Sequence, residues 1–259
     1  MNLTGNTILI TGGGSGIGRG LAEAFHARGN QVIVAGRRSA VLDEVTQANP
    51  GMKSLTVDMA DAAAIANFAT QAVEQFPALN MLINNAGIMR SERLTAQPAD
   101  LADAEAIVAT NLLGPIRLTA ALLPHLQKQS SATVINVSSG LAFVPLVFTP
   151  TYCATKAAIH SYSQSLRYQL KSTPVEVIEL VPPYVQTHLM DGADDPRAMP
   201  LKEFIQEVME IFKTLPTPSE ILVERVNFLR KAEREGRYDA AFATLNGGMA
   251  VRFEAEWKA

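Results

Sequence analysis

Tyr152 and Lys156 lie four residues apart, and on a helix that spacing puts both side chains on one face, with a permanent ammonium about one turn from the phenol. A free tyrosine, with a pKa of about 10, is a poor acid or base at neutral pH. A neighbouring cation favours the phenolate and lets the phenol pass a proton to or from a substrate oxygen near physiological pH. Ser139, thirteen residues before Tyr152, is placed to hold that oxygen. The chain opens on Thr11-Gly12-Gly13-Gly14-Ser15-Gly16-Ile17-Gly18, between the apolar run Thr7-Ile8-Leu9-Ile10 and a segment with Leu21, Ala24 and Phe25 at helical spacing. A glycine turn between strand and helix aims free backbone N–H groups at a phosphate. Singly, these features describe a solvated helix face and a tight turn; together they point to a dinucleotide cofactor and hydride transfer.

The elements that must position these residues alternate along the chain. Strand-like runs fall at about 7–11, 31–35, 53–57, 79–84, 132–138 and 175–181, most of them unbroken apolar stretches of the kind covered on both faces. Helical stretches fall at about 16–29, 39–48, 61–76, 99–129, 151–172, 201–214 and 218–235. Crossovers of that length predict an α/β doubly wound parallel sheet of the Rossmann type, three layers thick. One domain over residues 1–259 is expected, with no repeat or linker.

Composition narrows the partners. The 47% hydrophobic content suits a two-sided core, and a net charge of −3 gives no basic field for nucleic acid or an anionic membrane. The first residues lack the basic start and apolar stretch of a signal peptide, and no run of about 18 unbroken apolar residues occurs, so the expected location is the cytoplasm. Cys153, the only cysteine, allows no internal disulfide. It points about 100° away from Tyr152 on a helix, which suits packing better than catalysis. His26, His125, His160 and His188 are scattered without metal-ligand spacing, and no metal is expected.

Cofactor choice is read at the end of the second strand. Val32-Ile33-Val34-Ala35 leads into Gly36-Arg37-Arg38, where an NAD-selective site places a carboxylate against the free ribose hydroxyls. Gly36 cannot supply one, and Arg37, with Arg38 beside it, offers a planar fork to a 2′-phosphate. NADP(H) is favoured over NAD(H). Asn111 lies in a long helical stretch four residues before Pro115, which has no N–H for the Asn111 carbonyl and crowds it with its ring, so a kink is expected there.

The order Thr-Gly-x-x-x-Gly-x-Gly, Asn84-Asn85-Ala86-Gly87, Asn111, Ser139 and Tyr-x-x-x-Lys resembles the short-chain dehydrogenase/reductase family, strongly over residues 3 to about 190. The resemblance implies that Gly12, Gly14, Gly16, Ile17 and Gly18 carry the cofactor phosphates with Ser15 adding a contact. It implies that Asp58 faces the adenine, that Asn85, Ala86 and Gly87 line the adenosine ribose, and that Val185 and Thr187 hold the carboxamide. Asp58 also reads as a strand-end cap. In the family's scheme Tyr152 is the acid/base, Lys156 lowers its pKa and binds the nicotinamide ribose, and Ser139 holds the substrate oxygen. The Asn111 carbonyl keeps a water that reaches the lysine. The family's usual separation of thirteen selects Ser139 over Ser138, which would support it from behind. A substrate lid is implied near 184–215 and a last strand near 239–244.

Two departures stand out. Pro182-Pro183-Tyr184 replaces the family's usual Pro-Gly, a double proline similar to that of oxidoreductases of the D-alanyl-lipoteichoic-acid operon. The end of the chain reads Thr244-Leu245-Asn246-Gly247-Gly248 and continues through Phe253 and Trp257. The expected substrate is a small carbonyl compound or secondary alcohol met by a partly apolar pocket drawn from Leu141, Phe143, Val144, Leu146, Phe148, Tyr184, Leu189 and Met190. Asp191, Asp194 and Asp195 would disfavour anions or simply be solvated. Apolar residues on the two long helices, Leu101, Ile107, Val108, Leu112, Ile159 and Leu166, exceed one sheet-facing stripe and predict a homodimer or homotetramer. Two other readings fit the same motifs: an NAD-dependent alcohol dehydrogenase, and a non-catalytic dinucleotide-binding sensor.

Overall fold

Apolar residues on both sides of a strand require cover on both sides, and the chain supplies it. The computed structural model describes residues 2–94, 100–215 and 217–247. Six of the strands are β1 Thr7–Thr11, β2 Gln31–Gly36, β3 Lys53–Thr56, β4 Leu79–Asn84, β5 Ala132–Val137 and β6 Val175–Val181, all close to the expected runs. With β7, Glu220–Leu222, they form one parallel sheet in the order β3-β2-β1-β4-β5-β6-β7. The chain runs outward from β1 to β3 and then returns to the other side of β1. That reversal opens a crevice at the carboxyl ends of β1 and β4, where such sheets bind ligands.

Helices α1 Gly16–His26, α2 Ser39–Ala48 and α7 Leu201–Thr214 cover one face, packing Leu21, Phe25, Leu42 and Phe204 on Ile8, Val34, Ile83 and Ile135. The other face is covered by α3 Ala62–Gln75, α5 Gly114–Leu126 and α6 Pro150–Leu170, whose Phe68, Leu118, Leu122 and Leu166 meet Leu9, Ile33, Leu82 and Val134. Asp61 caps α3 by accepting from the amides of Ala63 and Ala64.

Three expectations need correction. The stretch 99–129 is not one uniform helix: α4, Ala102–Val108, passes through a π-helical turn, Ala109–Leu113, before α5 begins. The turn falls where Pro115 cannot donate to Asn111, so the ladder slips to Gly114 N–H donating to Ala109. Residues 218–235 are not a helix. They hold β7, a 3₁₀ turn and the short α8, Asn227–Arg230, because the open edge of β6 takes up Ile221 opposite Leu180 and buries it completely. The supposed strand at 239–244 lies inside a helix over 238–247. Its alanines favour helix, and Ala241 and Leu245, one turn apart, pack together with Val144. Gly248, Phe253 and Trp257 lie outside the described residues.

The span Ala102–Leu126 is long and apolar enough, by length and composition, to cross a membrane, with mean hydropathy 1.6. Much of that character is explained within the fold, since Leu118, Leu122 and Leu126 are fully buried in the core.

Candidate active site

The glycine turn is tight because it must be. Gly12 has φ +67°, and a Cβ there would stand 2.9 Å from Ala86 Cα; at Gly18 it would come within 2.3 Å of the Gly12 carbonyl oxygen. The first turn of α1 carries no acidic residue, and Ser15 at its N-cap makes no side-chain capping bond, so the first-turn amides have no side-chain cap among the described residues. That is a fitting cradle for a dinucleotide's pyrophosphate. Ile17 packs partly against the core of the α1 face. Gly36 ends β2 and is followed by exposed Arg37 and Arg38, neither in a salt bridge among the described residues. Asp58 accepts from the Ala60 amide at 2.9 Å, which makes it a turn cap, with its second oxygen unused there.

Asn85 donates to the carbonyls of Thr11 and Gly12, so its side chain braces the glycine turn. Thr11, which heads the glycine motif but gains no role there from the sequence alone, accepts from the amides of both Asn85 and Ala86 at 3.1 Å and locks β1 to β4 at the crevice. Gly87 stands beside the reaction centre: a Cβ there would be 3.4 Å from Asn111 Oδ1 and 3.8 Å from Lys156 Nζ.

Helix α6 brings Tyr152 and Lys156 to the ends of β4 and β5, and Ser139 lies two residues beyond the end of β5. All three are buried, at 6%, 5% and 8% exposure, so their chemistry runs in a medium drier than water. Burial pushes the Tyr152 phenol well above its usual range, and a hydrogen bond with Ser139 partly offsets that. Desolvation dominates that shift, and the Lys156 ammonium, 5.5 Å from the centre of the Tyr152 ring, is not among its causes. Burial also lowers Lys156, to about 8, against the opposing pull of Glu179. Its ammonium donates to the Val137 carbonyl at 2.8 Å. Cys153 bonds with Leu146 and Thr149, and burial pushes its thiol up, which suits a packing role.

Asn111 is 1% exposed, and its side-chain amide pairs with the Ile88 backbone in both directions, at 2.9 and 2.8 Å. It therefore fastens the loop after β4 to the π-turn. Beside it lies a cavity of about 10 Å³ lined by Asn84, Asn111, Pro115, Asn136 and Lys156, among others. That is room for one water. Asn84 Oδ1 is buried without a hydrogen-bond partner among the described residues.

The loop after β6 is bound at both sides. Gly140 N–H donates to the Pro182 carbonyl, and Val185 bridges Met199. Val185 itself is core, 4% exposed. Thr187 reaches the glycine turn, with its Cγ2 3.2 Å from the Cβ position of Gly16. In the segment beyond, Asp195 is taken by Arg197, Nη2 to Oδ2 at 2.6 Å, which holds its carboxyl well below the usual range. The apolar candidates divide: Val144 is fully buried core, Leu146 and Phe148 pack on Tyr152, and Tyr184 and Leu189 are exposed at the crevice loop.

Several residues that shape the site left no sequence signal, because their partners are distant in the chain. Glu92 accepts from the Thr151 amide and hydroxyl at 3.0 and 2.6 Å, placing a carboxylate at the N-terminus of the helix that carries Tyr152. Asn246 accepts from Val147 N–H and donates to the Pro145 carbonyl, fixing the segment between Ser139 and Tyr152. Behind Ser138, the ligand-capable atoms of His160, Glu179 and Glu220 come within 4.8 Å of one another. Those groups are engaged with Ser138, with one another and with Arg230, so the cluster is a hydrogen-bonded salt network.

The short chain dehydrogenase family matches residues 6–198. The chain is 40% identical over 251 residues to an uncharacterized oxidoreductase, DltE, of Bacillus subtilis, covering 95% of this chain and 98% of that one. Among solved structures, a short chain dehydrogenase from Burkholderia cenocepacia in complex with NADP aligns with TM-score 0.81 and 26% identity over 95% of this chain and 99% of that one. A 3-ketoacyl-(acyl-carrier-protein) reductase from Brucella melitensis complexed with NADH aligns with TM-score 0.73 and 26% identity over 81% and 91%.

Proposed function

We propose, for a chain that belongs to the short-chain dehydrogenase/reductase family and is an oxidoreductase, an NADP(H)-dependent reduction of a carbonyl to a secondary alcohol, with Tyr152 as the proton donor. The observation that carries this reading is the convergence of Tyr152, Ser139 and Lys156 beside Gly87 at the mouth of the crevice. A bound nicotinamide supplies the hydride. Ser139 hydrogen-bonds the substrate oxygen, and Tyr152 gives its proton as negative charge grows there. Burial leaves the phenol protonated at neutral pH, so Tyr152 holds the proton that the reduction requires of it, and the hydrogen bond with Ser139 offsets part of the burial that would make it a weaker donor. The Lys156 ammonium binds the nicotinamide ribose. The cavity at Asn111 and Asn84 suits a water that returns the proton through Lys156.

The preference for NADP(H) is supported by Gly36 in place of a carboxylate and by the exposed guanidinium groups of Arg37 and Arg38, neither in a salt bridge among the described residues. Tyr184 and Leu189 give the substrate an apolar side, under a lid spanning 184–215. Pairing through the α4 side is supported by exposed Leu101 and Leu113, which with Ala104, Glu105, Val108, Ala109 and Thr151 border a shallow hollow, whereas Ile107, Ile159 and Leu166 of the expected face are buried within the subunit. A cytoplasmic location accords with the single free thiol. The test is NADPH consumption across ketones, aldehydes, 3-oxoacyl thioesters and quinones, with NADH run in parallel. Turnover with at least one class and weaker binding of NADH are expected. Tight NADPH binding with no turnover across the panel overturns the enzymatic reading.

A further inference from the structure

Glu179 sits in β6 with none of its surface exposed, and a carboxylate there persists only if both oxygens are satisfied. They are. The Ser138 hydroxyl donates to Oε1 at 2.5 Å, and His160 Nδ1 donates to Oε2 at 2.7 Å. The Gln164 amide donates to His160 Nε2 at 2.8 Å, so the imidazole holds its proton on the Glu179 side. Glu220 Oε1 lies 3.9 Å from the same Nδ1, but Arg230 clasps both Glu220 oxygens at 2.9 Å. The Arg230 guanidinium in turn lies 4.4 Å over the Phe143 ring, whose edge contact with His160 closes the cluster.

On the other side of Glu179 lie three consecutive residues of the active site. The Val137 carbonyl receives the Lys156 ammonium, Ser138 is held by Glu179, and Ser139 bonds Tyr152. His160 follows Lys156 by one helical turn. We infer that Glu179 is a positioning residue for the proposed reaction: through Ser138 it fixes the backbone that presents both Ser139 and the Val137 carbonyl on which the Lys156 ammonium rests, and its negative charge favours that ammonium.

Among the described residues, Lys156 lies 5.5 Å from the Tyr152 ring on its own helix, lines a cavity with the neutral amides of Asn84, Asn111 and Asn136, and feels the charge of Glu179 on β6. Glu179 faces Lys156 and His160 from α6, Glu220 from β7 and Arg230 from α8. Burial draws Lys156 down to about 8, and Glu179 is the anion that resists this. Removing the negative charge therefore moves the loss of the ammonium to lower pH.

This inference rests on the proposed role of Lys156 in holding the cofactor, and the test is NADPH affinity by fluorescence from pH 6 to 10. In the wild type, affinity falls through about pH 8. In Glu179→Gln, of nearly equal volume, the same fall occurs about one pH unit lower, while Ser138→Ala keeps the wild-type midpoint and loses several-fold in kcat with KM little changed. Glu179→Asp, whose carboxylate is drawn back by one methylene, gives an intermediate midpoint and serves as the test if Glu179→Gln does not fold. A folded variant of Glu179 whose midpoint coincides with the wild type overturns the inference. A midpoint that shifts in a protein with no turnover on any carbonyl upholds Glu179 as the counter-charge and overturns the enzymatic reading instead.

Discussion

The two faces of the sheet are built from the same strands and are chemically unlike. Facing α1 and α7, the central strands end as they begin: Ile83, Ile135, Val137, Ile178 and Leu180 are all apolar and buried. Facing α5 and α6, the same strands start with Leu82, Val134 and Val177 and finish with Asn84, Asn136, Ser138 and Glu179, all buried. Those polar residues are joined across strands. Asn84 donates to Thr119 and Asn136, Asn136 donates to Ser163, and Glu179 accepts from Ser138 and His160. Burying so many polar groups is tolerable only because nearly every one is paired. One face fixes the fold, and the other gives up apolar contact to hold reacting groups in orientation.

The largest effect that would sharpen this contrast is at the polar face. Tyr152→Phe keeps the ring and removes the proton, so turnover should fall by about 10² to 10⁴ while NADPH binding stays within a few-fold; near-normal turnover would remove Tyr152 from the mechanism. On the apolar face, Ile178→Ala should cost about 2–5 kcal/mol in urea unfolding and leave kcat of the folded protein nearly unchanged. A collapse of kcat without loss of stability would erase the distinction between the faces.

Lys156 joins both sides of the argument. Its folded-state pKa of about 8 lies below the ordinary 10.5. Between those values the unfolded chain holds a proton that the folded one does not, so this group makes stability rise with pH across the window; below pH 8 it is charged in both states and its burial penalty is felt in full. NADPH affinity should move the other way. Lys156→Met should abolish turnover, weaken NADPH by about tenfold or more and remove the rise of stability with pH between about 8 and 10.5. A variant whose stability still rises across that window in urea unfolding would assign the rise to another group.

Smaller effects are expected away from the strand ends. Gly36→Asp with Arg37→Ala should shift preference from NADPH toward NADH by about tenfold, read from the two dissociation constants. A native preference for NADH would contradict the reading of Gly36 and Arg37. Subunit pairing should have the mildest influence: Leu113→Asp should shift the assembly toward monomer in light scattering and lower activity a few-fold, and a wild type already monomeric and fully active at micromolar concentration would dismiss pairing as a requirement.

The contrast between faces also explains what the sequence disclosed. The strands up to β6 were legible because their apolar runs are long and unbroken, and the glycine turn, Ser139, Tyr152 and Lys156 because they keep fixed local spacings. β7 was not, since three residues, Glu220–Leu222, become a strand only against the edge of β6. At the polar ends of β5 and β6 nothing local says that Glu179 meets Ser138, 41 residues away, and nothing near Glu92 says that it meets Thr151. The π-turn was half legible: Pro115 announced the break, but whether the helix would bend or slip depended on Gly114, whose lack of a side chain lets it lie against Met59, where a Cβ would stand 2.6 Å from the carbonyl oxygen.

Asn246 bonds the Val147 amide and the Pro145 carbonyl across separations of 99 and 101 residues, while Leu245 packs beside Tyr152 and Cys153. Synthesis proceeds from the other end, so every strand and the whole helix bearing Tyr152 are made before the residue that braces the wall between Ser139 and Tyr152. The wall between Ser139 and Tyr152 is therefore the part of the crevice whose brace is made last, after every named strand.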